Sequence, residues 1–144
     1  MNRLGNSILV PIFLMVASAV SAADGGGADA RVDLNLTPSE KAEFLSEMRQ
    51  MLTSIQGIMT GIGTDDRELI VRSARYSGNR MARATPDSVR QKLPESFKKL
   101  GGPTHMMFEE LVIRAETDDM DTLAEFTGRL MQQCLACHAK FRVD

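Results

Sequence analysis

Apolar residues along the chain recur mostly at intervals of three and four, and polar residues fill the gaps. From Phe44 the apolar positions are Leu45, Met48, Met51, Leu52, Ile55, Ile58, Met59 and Ile62. That spacing predicts one buried stripe on a helix. Thr37-Pro38-Ser39-Glu40 supplies its start: a capping hydroxyl, a first-turn proline, and a glutamate three beyond the cap. Gly57, Gly61 and Gly63 weaken its end, so the first helix is expected from Pro38 to about Thr60.

Asp65-Asp66-Arg67-Glu68 caps a second helix carrying Leu69, Ile70, Ala74, Ser77 and Met81. Its face is small at Ala74, Ser77 and Gly78, which allows close approach of another helix or of a flat ligand. Thr85-Pro86 restarts the chain for about two turns, to Leu93. Pro94 to Leu100 adds another short turn, and Gly101-Gly102 is expected to break it. Pro103 then opens a third long helix, with Met107, Phe108, Leu111, Val112 and Ala115 inward. Asp118-Asp119 caps the last, whose broad inner face takes Met120, Leu123, Ala124, Leu130, Met131, Cys134, Leu135, His138 and Phe141. No alternating β-branched run of useful length appears. The fold class is all-α, and four amphipathic helices joined partly by short turns predict an antiparallel four-helix bundle.

The amino end follows another pattern. Arg3 precedes a mostly apolar run from Ser7 to Val20, and small residues follow. The run is short, and Val20-Ser21-Ala22 and Ser21-Ala22-Ala23 both suit signal peptidase. Residues 1–23 therefore read as a secretory signal peptide, with an uncleaved anchor as the competing reading. No cysteine at the junction marks a lipoprotein. Residues 24–36, with three consecutive glycines, read as a flexible leader, and residues 37–144 as the domain. Cleavage leaves about 121 residues, enough for one domain with one core, and no membrane span.

The full chain has 17 basic and 19 acidic residues, a formal net charge of -2. Loss of Arg3 makes it -3, without the basic stripe that nucleic acid requires. With no Trp and one Tyr, the core must be aliphatic, methionine and phenylalanine.

Both cysteines stand in CLACHAKFR, Cys134 to Arg142. In an exported chain, two cysteines ordinarily suggest a disulfide or a redox dithiol. The immediate histidine favours another chemistry, because C-x-x-C-H marks covalent attachment of c-type haem. Residues three apart on a helix lie close on one surface, so both thiols can meet the haem vinyl groups while His138 turns toward the iron. Structural zinc would need four ligands, and only His105 remains as a distant fourth. A thioredoxin-like motif would follow a strand and open a helix, whereas this one lies deep in a helical pattern.

The ending CLACHAKFR on the last helix of such a bundle resembles the cytochrome c-prime and cytochrome c556 family, over roughly Thr37 to Arg142. The resemblance implies an exported, periplasmic four-helix bundle with one covalent haem c on its last helix. Cys134 and Cys137 would form the thioethers, and His138 would be the proximal iron ligand. Arg142 would match a family arginine near that ligand, or stabilise the negative end of the helix. The family also implies redox partner proteins and a homodimer through the first two helices.

What faces His138 across the haem separates the functions. In the c556 branch it is a methionine, giving six-coordinate iron suited to electron transfer. In the c-prime branch it is apolar, and small gases such as nitric oxide bind instead. Met48-Arg49 matches a family pair of an apolar residue followed by a basic one. Met48 is thus the expected sixth ligand, with Arg49 toward a haem propionate. A second register places Thr53 there, Met51 is a neighbouring alternative, and His105 is expected to make a structural or propionate contact. Ten methionines warn that a methionine stripe also serves as core filler. The expected function is one-electron transfer without bond chemistry, since no catalytic constellation is evident. Gas binding and a subunit of a larger redox complex are the alternatives.

Overall fold

The computed structural model describes residues 29–144. The signal peptide and the start of the leader lie outside the described residues. The domain is all-α apart from one short strand pair. It comprises β1 (Val32–Asp33), α1 (Pro38–Gly63), α2 (Arg67–Tyr76), α3 (Asn79–Ala84), α4 (Asp87–Lys92), α5 (Glu95–Thr117), α6 (Met120–His138) and β2 (Phe141–Arg142). No helix among the described residues is long and apolar enough to cross a membrane.

The starts of α1, α2 and α6 follow from their caps. Thr37 accepts from the Glu40 N–H while the Glu40 side chain returns to the Thr37 N–H, so each satisfies an orphan donor. Asp66 accepts from Leu69 N–H and Asp119 from Thr122 N–H, both at 2.8 Å.

The glycines at the end of α1 do not stop it, and the helix continues to Gly63. Gly61 is buried, and a Cβ there would stand 2.8 Å from the Asp66 carbonyl oxygen and 2.7 Å from Ile70 Cγ1. The missing side chain lets the two helices meet closely. The small face of the second segment serves the same end. It breaks at Ser77-Gly78, between α2 and α3, where Ser77 Oγ donates to Ser54 Oγ of α1 at 2.7 Å.

Pro103 does not open a helix. It lies within α5, which starts at Glu95 and runs through Gly101-Gly102. A mid-helix proline lacks a donor and crowds the preceding turn. Here the Thr104 hydroxyl donates to the Leu100 carbonyl at 2.8 Å, one turn back. Beyond it, Phe108 and Leu111 are fully buried, and their packing outweighs the weak local propensity.

α1 packs on α2 and α6, and α5 packs on the same two helices. The side chains between them form the main core: Ile55, Ile58, Ile70, Ala74, Phe108, Leu111, Leu123 and Leu130 among others. A second cluster joins Leu34, Phe44, Val89, Leu93 and Phe141, with Phe97 and Leu100 against it. The Phe97 ring meets Phe44 and Phe141 at centroid distances of 5.8 and 5.3 Å.

Part of the expected leader belongs to this second cluster, which corrects the flexible reading for residues 32–36, while residues 24–28 lie outside the described residues. β1 pairs in parallel with β2, Val32 opposite Phe141, and Leu34 is buried. Asn35 then adopts a left-handed backbone with φ of 50°. Its N–H donates to the Asp33 carboxylate, and its side-chain amide to the Asp33 carbonyl. This Asx turn leads the chain into the cap of α1.

Candidate functional site

α6 carries the two cysteines and the histidine on its last turns. Both thiols are free and half-buried, and Cys134 Sγ lies 3.8 Å from the Leu130 carbonyl, one turn back. Burial pushes both thiols above their ordinary range, and Cys134 adds to the effect on Cys137. They are therefore neutral sulfhydryls at physiological pH rather than thiolates.

The pair spans both clusters. Cys134 packs against the main core, as does Met51 of α1. Cys137 packs against the second cluster, as does Met48. Since α1 packs on α6, the two methionines and the two cysteines belong to facing helices. Thr53 belongs to neither set. It is exposed, and its hydroxyl donates to the Arg49 carbonyl of its own helix at 3.0 Å.

His138, the last residue of α6, is exposed. Leu135 and Met131 precede it by three and seven positions, a helical stripe. The sequence pattern places all three inward. In the structure Leu135 is 70% and Met131 44% exposed, so an apolar strip beside the histidine lies open. On α1, Leu52 and Met59 depart from the buried stripe in the same way.

Of the other candidates, Arg142 and His105 take different places from those expected, while Arg49 does not. Arg142 is not on the helix, because α6 has ended and Arg142 lies in β2. Its guanidinium pairs with Asp144, and its Nε donates to the Arg31 carbonyl at 3.4 Å. Arg49 is exposed on α1. His105 lies in the middle of α5 rather than at a helix start, with Nδ1 2.7 Å from the Ser77 carbonyl. A carbonyl only accepts, so Nδ1 carries the proton and the ring staples α5 to the α2–α3 break.

Arg31 and Leu34 escaped the sequence reading although both touch the end of the motif. Arg31 donates to the His138 carbonyl at 3.3 Å, and Leu34 packs in the cluster that holds Cys137. Leu34 carried a signal in the alternation Val32, Leu34, Leu36, which is a strand's period rather than a helix's, and Arg31 carried none.

Haem c needs two free thiols with helical spacing, an imidazole next to them, and apolar surface to cover its ring. The donor set and the open strip at Met131 and Leu135 fit those needs. Two grooves, one between α1 and α3 and one between α1 and α2, share Gln50 and Tyr76 and include none of the three motif residues. Among the described residues, no group of three or more His, Cys, Asp or Glu is placed to hold a metal ion by itself. Comparison with protein-family models, curated proteins and solved structures found no match to this chain.

Proposed function

We propose that this chain is an exported c-type cytochrome that carries one electron in the periplasm. In this reading α1, α2, α5 and α6 form an antiparallel four-helix bundle with one haem c attached to α6. Cys134 and Cys137 hold the porphyrin by thioethers, and His138 is the proximal ligand. When bound, the haem supplies an iron that gains and loses one electron. The protein's part is to hold it, exclude water from one face, and fix its ligands. The carrying observation is the set of free, half-buried thiols on the last turns of α6, beside an exposed imidazole and an uncovered apolar strip.

Met48 is the proposed sixth ligand. It is half-buried and packs against the same cluster as Cys137, whereas Thr53 faces solvent. Met51, packed against the core beside which Cys134 lies, is the neighbouring alternative. A neutral thioether favours reduced iron and raises the potential. Unchanged ligands in both oxidation states suit transfer to and from redox partner proteins. Arg49 is placed on the exposed side of α1, in keeping with a propionate contact at the haem edge.

The test is the spin state of the purified protein and of Met48→Ala and Met51→Ala. The parent is expected to be six-coordinate and low-spin. M48A is expected to become high-spin, bind carbon monoxide when reduced, and lose potential, while M51A costs packing alone. A spin change in M51A but not in M48A would move the ligand to Met51. A parent that is already high-spin would contradict the carrier reading and put gas binding in its place.

A further inference from the structure

Three sets of contacts converge on the backbone just beyond Cys137, all from the segment before α1. The Arg31 guanidinium donates to the His138 carbonyl at 3.3 Å. Val32 N–H donates to the Lys140 carbonyl at 2.7 Å, and Leu34 N–H to the Arg142 carbonyl at 3.0 Å. Leu34, 4% exposed, packs in the cluster that also takes Phe141 and Cys137.

A helix leaves its last carbonyls without intrahelical donors. At the end of α6 the Leu135 carbonyl accepts from Ala139 N–H and the Cys137 carbonyl from Lys140 N–H. The carbonyl of the histidine itself is taken up by Arg31, 107 positions earlier in the chain. A cation there also meets the negative end of the helix dipole. Arg31 is in turn aimed by Asp29, which accepts from Nε at 3.0 Å and from Nη2 at 2.6 Å. Its own carbonyl accepts from Arg142 Nε, so the two arginines hold each other's segments.

We propose that residues 29–34 are a positioning strap for the carboxyl end of α6, in which Arg31 fixes the His138 backbone so that the imidazole is presented from a rigid support. The proposal rests on the haem reading above for its purpose, and on the contacts alone for its existence. It makes residues 29–34 and the haem motif one structural unit. Arg31 is a positioning residue, since its guanidinium reaches the histidine carbonyl and not the imidazole.

The test uses the full chain with Arg31→Ala, Arg31→Lys and Val32→Pro, each made with and without haem attachment. V32P deletes the donor to Lys140 while the Val32 side chain, 53% exposed, contributes little burial. Without haem, amide hydrogen exchange at Leu34 and at 139–142 is expected to quicken at least about tenfold in R31A and V32P, with Phe108 unchanged. With haem, the electron paramagnetic resonance signals of the iron are expected to shift or split in both variants, and R31K to restore the parent pattern. Parent-like exchange in R31A and V32P overturns the strap. Quickened exchange with parent-like iron signals overturns the positioning role. A parent chain that takes up no haem overturns the haem reading, and the exchange experiment then still decides whether the strap holds α6.

Discussion

The core between α1, α2, α5 and α6 and the cluster at the end of α6 are closed by different means. The first is sealed by long helices. Ile58, Ile70, Phe108, Leu111, Leu123 and Leu130 have no exposure, and Gly61 lets the α1–α2 turn close. The second is assembled from pieces: Leu34 and Leu36 between β1 and α1, the first turns of α1, the short α4 and its cap Leu93, the first turns of α5, and Phe141 of β2. Its members stay at 2–8% exposure, with Met48 and Cys137 half-covered at its rim. Helical periodicity therefore builds the first region. No member of the second cluster is without exposure, and with Cys134 against the first cluster and Cys137 against the second, the proposed haem would be held where the two meet.

The largest effect should come from the sealed core. Phe108→Ala removes a fully buried ring from well-packed surroundings, and is expected to cost about 3–5 kcal/mol in urea unfolding. If F108A costs less than about 1 kcal/mol, the core between α1, α2, α5 and α6 does not hold the fold together. Leu34→Ala tests the other region. It should cost about 2–3 kcal/mol, the lower part of the range for such truncations, because the cluster around it is small. In haem-loaded protein L34A is expected to perturb the iron spectrum more than F108A does, despite its smaller cost. The reverse order would erase the distinction between the regions.

Gly61→Ala sharpens the account of how the first region closes. The added methyl meets the Asp66 backbone oxygen, which cannot rotate away, so a loss of about 1–3 kcal/mol is expected although alanine is the better helix former. A stabilised G61A would show that α1 and α2 have room to spare.

The smallest effect concerns the α1 cap, which faces the second region. The Lys92 ammonium, 2.6 Å away, holds the Glu40 carboxyl down at about 2, helped by the Thr37 N–H and hydroxyl. A depressed acid stabilises the fold above its unfolded value of about 4.5, and that contribution fades as pH falls toward 2. The melting temperature of the parent should exceed that of Glu40→Gln near neutrality and converge with it in acid. A gap that persists at low pH would assign the effect to something other than the charged pair.

Much of this molecule is legible in its residues, for reasons that differ from place to place. The caps at Thr37, Asp66 and Asp119 announce their helices because one side-chain oxygen and one backbone N–H settle the matter locally. The inner face of α5 from Phe108 to Ala115 is legible from its spacing. The start of α5 is not, because Gly101-Gly102-Pro103 resembles a break unless Phe108 and Leu111 are known to be anchored in the core. Ser77-Gly78, read as helix interior, breaks the second helix because Ser77 reaches Ser54 and Gly78 lies against Glu109. Within the site, Cys134, Cys137 and His138 are legible from chemistry alone. The outward turn of Leu135 and Met131 is not, since periodicity registers only that they are apolar. Arg31 was invisible for a further reason: its partner is a backbone carbonyl more than a hundred residues away, and no local pattern encodes that.

The proposal that α6 carries a covalently bound haem through Cys134 and Cys137 is open to a single decisive test. The most direct measurement is the intact mass of the full-length gene product after export from a host that attaches c-type haem. The expected mass is that of the chain cleaved after Ala22 or Ala23 plus one haem, stable to denaturation. A haem-free mass from that host, with Cys134 and Cys137 joined in a disulfide, would contradict it.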